Sequence, residues 1–372
     1  MKKFISIAGS MAILAASVLP AIATGNNCVN ETTGPISQNY CTVTNTNTVK
    51  VENENDADIK NDVKVSANTG HNSASMNTLG GAVVSGNASV NASLSNTANV
   101  NTTSVSGGPA ASGNVGSNGI TGPNSVNQIG ITNSNNVEVE NENDAHVDNK
   151  VVASVDSGWN RADTNTGPGY VYAGNADMNV GVVNRVNDSA TAIVGGAGGV
   201  GGNQATNQTT GPISQNFVTV KNTSDIEVEN ENDMDVKNTV NAIANTGHNS
   251  ASTNTLGGEI RSGNAVGDLG LETKGNINTT SVTSAMGGFA NVSGNVDTGP
   301  MSFNQETLTN TQGVEVENEN KDADVSNFDT DSADAGWNNA DTNTGGGSVL
   351  AGMADLVKRI CVYVNDSFTV VH

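Results

Sequence analysis

The chain runs to 372 residues, with 37 Asp and Glu against 15 Lys and Arg, a formal charge of −22, and only 3% aromatic residues. That balance excludes a phosphate-binding surface for nucleic acid, which needs clustered basic groups. Apolar content of 35% is poor for a conventional globular core, leaving either disorder or a narrow core, and the periodicity described below favours the narrow core.

At the N-terminus, Lys2 and Lys3 precede an apolar and small-residue run from Phe4 to Leu19, followed by the small-x-small pattern Ala21-Ile22-Ala23. This is the layout of a secretory signal peptide over 1–23, so the mature chain is expected to begin at Thr24 and to be secreted, extracellular or at the cell surface. No later stretch is apolar enough to span a bilayer, so no membrane span is expected in the mature chain. Residues 24–32 read as an N-terminal cap segment. Cys28 and Cys41, close together in a secreted chain, are expected to pair in a disulfide, which leaves Cys361 over.

Four units follow, opened by Thr33-Gly34-Pro35, Thr121-Gly122-Pro123, Thr210-Gly211-Pro212 and Thr298-Gly299-Pro300, each continuing as T-G-P-x-S-x-N. The implied repeats are A (33–120), B (121–209), A′ (210–297) and B′ (298–372), of about 88 residues each. V-E-N-E-N recurs at 51–55, 139–143, 228–232 and 316–320, and small-Gly-Asn at 85–87, 173–175 and 262–264. A further anchor is N-T-G, at 68–70, 165–167, 245–247 and 343–345. A and A′ share N-T-G-H-N-S-A-S, while B and B′ share G-W-N-x-A-D-T-N-T-G, so a two-unit block is duplicated. Gly-rich segments at 107–119, 195–202 and 287–294 read as joints.

Within a unit the pattern is strictly alternating. From Val43 to Ala67 the odd positions are Val, Ile, Ala and Asn, and the even ones Thr, Lys, Glu, Asp and Ser. Period two means β-strand with one buried and one solvated face. The run far exceeds ordinary strand length, so it must bend repeatedly or form unusually long strands. Asn45, Asn53 and Asn61 fall every eight residues, which suits corners of short stacked coils. The same inward asparagines, with Asn141, Asn143, Asn230, Asn232, Asn318 and Asn320, can form amide ladders between successive coils. A second alternating stretch has Ala88, Val90, Ala92, Leu94, Asn96, Ala98 and Val100 inward. The fold class expected is all-β, a repetitive β-solenoid resembling a parallel β-helix. Its alternative is a β-sandwich of long hairpins.

Titratable residues do not converge in any catalytic pattern, and no enzyme is expected. The outward row Glu52, Glu54, Asp56 and Asp58 places carboxylates about 7 Å apart. It could bind Ca²⁺, or serve only as an acidic face that prevents lateral aggregation; no other cofactor is implied. Trp159 and Trp337 occupy the same point of the B units. A turn tryptophan there can stack on a glycan or protein partner, or cap a thin core. If Ile360, Val362 and Val364 face inward, Cys361 faces outward.

The T-G-P-x-S-x-N, V-x-V-x-N-x-N and N-T-G-x-N-x-A motifs resemble a type of uncharacterised secreted repeat protein of candidate-phyla bacteria, over essentially the whole mature chain. The regular Asn, Ser and Gly spacing is also similar in style to curlin-type fibre subunits, without their Gln-bearing short repeat. Together these readings imply a non-catalytic structural protein of the cell surface or of an extracellular fibre, with self-association. The alternative is an adhesin-like stalk that binds a surface glycan or protein through the B-unit tryptophans.

Overall fold

The computed structural model describes residues 2–8, 13–18, 25–106, 113–194, 202–283 and 291–371. The cleavage pattern at Ala21–Ala23, the centres of the Gly-rich segments and His372 lie outside them. The described residues are all-β and form a repetitive parallel β-solenoid. Rung one comprises β3 (Asn27–Asn30), β4 (Gln38–Asn68), β5 (Gly81–Val84) and β6 (Ala88–Ser106). Rung two repeats it with β7 (Val115–Asn118), β8 (Val126–Asp156), β9 (Gly169–Tyr172) and β10 (Ala176–Val194). Rung three has β11 (Gln204–Thr210), β12 (Gln215–Asn245), β13 (Gly258–Arg261) and β14 (Ala265–Thr283). Rung four has β15 (Val292–Thr298), β16 (Phe303–Asp334), β17 (Gly347–Leu350) and β18 (Ala354–Val371).

Equivalent strands of successive rungs pair in parallel, giving sheets ordered β16-β12-β8-β4, β18-β14-β10-β6, β15-β11-β7-β3 and β17-β13-β9-β5. The antiparallel hairpins of a sandwich do not form. Two further strands, β1 (Lys2–Ala8) and β2 (Ile13–Val18), from the segment read as a leader, run parallel along the free edge of β6. The segment 24–32, read as a cap, supplies β3, which is the first member of the same small sheet as β7, β11 and β15.

Each unit is therefore one coil, not a bundle of short ones. β4 runs for 31 residues without a left-handed corner, a contour of about 100 Å at ordinary strand rise. Asn45, Asn53 and Asn61 are not corner residues; they lie within β4 and point into the coil. Corners form instead where residues adopt left-handed backbone, as at Ile36, Asn124, Ile213 and Met301 after T-G-P. β6 folds back to face β4 across the interior, and the two sheets enclose a flat core.

The V-x-V-x-N-x-N pattern now has a physical meaning. Inward valines and inward asparagines alternate in pairs, so the core is a series of apolar columns separated by amide columns. Val49 and Val51 pack with Val105, and Val63 and Val65 with Ala88 to Leu94. Between them the Nδ2 of Asn53 donates to Oδ1 of Asn141 (2.6 Å), Asn141 to Asn230 (2.6 Å) and Asn230 to Asn318 (2.6 Å). Asn55, Asn143, Asn232 and Asn320 form a second column, and Asn61, Asn149, Asn238 and Asn327 a third. Asn45 opens a fourth with Asn133, Asn222 and Asn310. The second amide hydrogen crosses the core, as from Asn141 to Thr191 Oγ1 (3.1 Å). Parallel in-register stacking thus satisfies amides whose burial would otherwise be costly.

Two further expectations are corrected. Val100 does not face inward. Asn99 takes a left-handed backbone (φ 52°) in mid-strand and flips the alternation, so that Asn101, Thr103 and Val105 turn inward instead. Asn99 also builds its own column, donating to Asn187 Oδ1 (3.0 Å) and to the backbone carbonyl of Asp144 (2.5 Å). The N-T-G anchor mixes two positions. Asn68-Thr69-Gly70 stacks on Asp156-Ser157-Gly158, whereas Asn165 stacks on Asn77 and Asn254. At the first position the Asn or Asp side chain caps its own turn, with Gly70 N to Asn68 Oδ1 at 2.8 Å and Gly158 N to Asp156 Oδ1 at 2.9 Å. Glycine is required there because a Cβ on Gly70 or Gly158 would collide with the carbonyl of the glycine one rung further on.

Asn141→Ala leaves the Nδ2 of Asn53 and the Oδ1 of Asn230 without their column partner. The expected loss, read by chemical denaturation, is about 2–3 kcal/mol. Glu140→Gln, on the outer face of the same strand, should change stability by less than about 0.5 kcal/mol.

Candidate functional site: an aromatic column and the terminal rung

The left-handed turn residue directly after each turn glycine is His71, Trp159, His248 or Trp337. Because these turns stack in register, the four rings form one column on the outer surface. Centroid separations are 5.9, 4.3 and 6.2 Å, with interplanar angles of 10°, 2° and 6°. The A-B-A′-B′ pattern thus becomes a physical alternation of imidazole and indole. Each histidine also meets the carboxylate that caps the next B turn: His71 Nε2 lies 3.0 Å from Asp156 Oδ2, and His248 Nδ1 lies 3.7 Å from Asp334 Oδ2. An aromatic-poor chain thereby concentrates both of its tryptophans at one line of turns.

The tryptophans do not cap the core, since the column lies on the outside of the turn. Trp159 is flanked by a histidine on each side of the column and is 49% exposed. Trp337 ends the column and is 81% exposed, so one indole face is open. It borders Asn338, Asn339, Asp341 and Val349 in a shallow depression.

The acidic rows behave as a charged face. Glu52, Glu54, Asp56 and Asp58 alternate outward along β4 and stack rung upon rung with Glu140, Glu142, Asp144 and His146. Among the described residues no group of three or more His, Cys, Asp or Glu is gathered closely enough to hold a metal ion. The stacking instead crowds like charges. Glu229 is held above the ordinary carboxylate range by partial desolvation and by Glu140 and Glu317 on either side; Asp144 is raised by desolvation, Asp233 and Asp56. Lys50 relieves the row locally, with Nζ 2.8 Å from Glu138 and 3.7 Å from Glu140. Cys28 and Cys41 are joined in a disulfide with Cα atoms 5.7 Å apart, and Cys361 is free, exposed and aligned with Glu272 and Val183 on the outer face.

Rung four differs from the others at inward positions. Asp329 and Asp331 stand where rung three has Val240 and Ala242, and Lys358 where it has Leu269. Lys358 bridges the two carboxylates, contacting Asp329 closely and Asp331 at 3.4 Å. Burial raises Asp331 above its ordinary value, and Lys358 partly offsets this. Rung four is the last described rung, and its Ile360 and Val362, at the inward positions of Leu271 and Thr273, are half exposed. Among the described residues no helix is long and apolar enough to cross a membrane.

Comparison with family models, curated proteins and solved structures yields no match.

The raised carboxyls fix the sign of a pH dependence. Glu229 and Asp144 bind protons more tightly folded than unfolded, so their favourable contribution is present below the ordinary carboxylate range and lost as pH rises through their elevated values. The melting temperature should fall as pH is raised from about 4 to about 7, and Glu229→Gln should flatten that slope.

Proposed function

We propose that this chain is a secreted, non-catalytic structural protein of the cell surface or of an extracellular fibre. The observation that carries the proposal is the unbroken parallel register of whole 88-residue coils, each with an acidic outer face and a Val/Asn inner face. Such a stack is a rigid body whose amide columns and strand edges repeat at every rung, and repetition of this kind suits a structural element better than a reaction centre. The outward, mutually repelling rows of Glu and Asp along the long strands support the same reading, as does the leader-like N-terminus. The excess of 37 Asp and Glu over 15 Lys and Arg keeps the outer faces of neighbouring stacks apart.

Electron microscopy of the chain freed of residues 1–23 should reveal filaments. Fibre diffraction should give a reflection near about 4.8 Å along the filament axis, with one copy repeating every ~19 Å, four strand spacings. A monodisperse monomer at high concentration would sink the fibre form of the proposal.

The adhesin reading is favoured by one observation, the open indole face of Trp337. It narrows the contact to a single tryptophan. On a glycan array, Trp337→Ala should abolish binding while Trp159→Ala leaves it intact; equal loss from both, or from neither, would remove the reading.

A further inference from the structure

The two ends of the stack are complementary. The four amide columns through Asn45, Asn53, Asn55 and Asn61 run with one polarity, each Nδ2 donating toward the rung of higher number. They begin in carbonyl oxygens at rung one, on Asn45, Asn53, Asn55 and Asn61. They end in amide N–H groups at rung four, on Asn310, Asn318, Asn320 and Asn327. Two rung-four faces would oppose donor to donor, and two rung-one faces acceptor to acceptor; only rung four against rung one matches.

Two independent features agree. The aromatic column starts at rung one with His71 and ends at rung four with Trp337, so a second copy's His71 would continue the alternation without a fault. In the outward row through Lys50, the following residues are Glu138, Glu227 and Glu315. Glu315 at the exposed end would therefore meet the second copy's Lys50, the pairing that Lys50 already makes with Glu138 inside the chain. The free edge of β6 also accepts parallel strands, since β1 and β2 lie along it, Lys2 opposite Ser89 and Val18 opposite Val105. By the register of the stack, those are the seats that Asp355 and Val371 of a preceding copy would take.

We propose that rung four of one copy docks in register on rung one of a second copy, head to tail, with Trp337 against His71 and Glu315 against Lys50. This rests on the fibre reading and specifies its joint. β1 and β2 cover part of that joint, so docking belongs to the chain from which residues 1–23 have been removed. The joint is deliberately imperfect in one place. Asp329, Asp331 and Lys358 would face Val63, Val65 and Ala92, burying a cluster of net negative charge between apolar layers. This makes the joint weaker than any interface inside the chain, and assembly dependent on concentration.

The test uses full-length protein carrying a protease site between Ala23 and Thr24, folded first and then cleaved. Cleaved wild type should assemble and the uncleaved chain should not. Lys50→Glu should raise the critical concentration about tenfold or more, and Glu315→Lys in the same chain should restore it, since each 1.4 kcal/mol is a factor of ten. The rung-three residues placed in rung four (Asp329→Val, Asp331→Ala, Lys358→Leu) should lower it. Circular dichroism of the uncleaved variants verifies that each is folded. Filaments indifferent to Lys50→Glu, filaments whose copies are related by a two-fold axis, or equal assembly before and after cleavage would overturn the joint while leaving the fibre reading in place. Failure of every cleaved protein to assemble, the triple variant included, would overturn both.

Discussion

An asparagine buried among valines is tolerable only if both amide hydrogens and the carbonyl oxygen find partners. Here that condition is met by another asparagine one strand spacing away, and by a third side chain across the core. The whole architecture follows from keeping those partners in place. Parallel pairing is needed because it sets identical residues beside one another. Near-equal unit length is needed because a slip of one residue would turn every asparagine outward. The apolar columns between the ladders supply cohesion, but they are made of Val, Ala and Ile and would accept many registers. The amides reject all but one.

The same constraint explains how irregularities are accommodated. Lys321 adds a residue after V-E-N-E-N, and the pairing of β12 with β16 absorbs it between Asn232 and Met234 before resuming. The insertion falls immediately after the ladder asparagine Asn320, and its side chain goes outward to contact Glu231. At Asn99 and its equivalents the left-handed kink is itself laddered, so the frame shift in the return strand is reproduced identically in every rung rather than left as a fault.

Much of this was legible in the sequence. Val43 to Ala67 alternate so strictly that the inner and outer faces follow at once, and the 88-residue beat announces four equivalent bodies. The size of the coil was not legible. Asn45, Asn53 and Asn61 at eight-residue steps imitate the corners of a short coil, and periodicity alone cannot distinguish a bend from a ladder. The kink at Asn99 was hidden for a related reason: asparagine serves both extended and left-handed backbone, and only its neighbours decide. The aromatic column could have been found by aligning Gly70-His71-Asn72 with Gly158-Trp159-Asn160. The repeated N-T-G tripeptide drew the alignment to the wrong turn instead. The Asp329, Asp331 and Lys358 cluster could likewise have been found, because all three fall at inward positions of the alternation. It needed the correct coil, though, to show that β16 and β18 face one another there.

The long uninterrupted strand also sets the shape of the body. Four rungs of two facing sheets make a slab about 100 Å wide, only two sheets thick, and shorter along the stacking axis than across it. A tape of such slabs resists bending within its own plane many times more strongly than bending out of it, because stiffness grows steeply with depth in the direction of the load. Such a tape would follow a curved contour across its thin dimension while remaining nearly inextensible and laterally unyielding along its broad face.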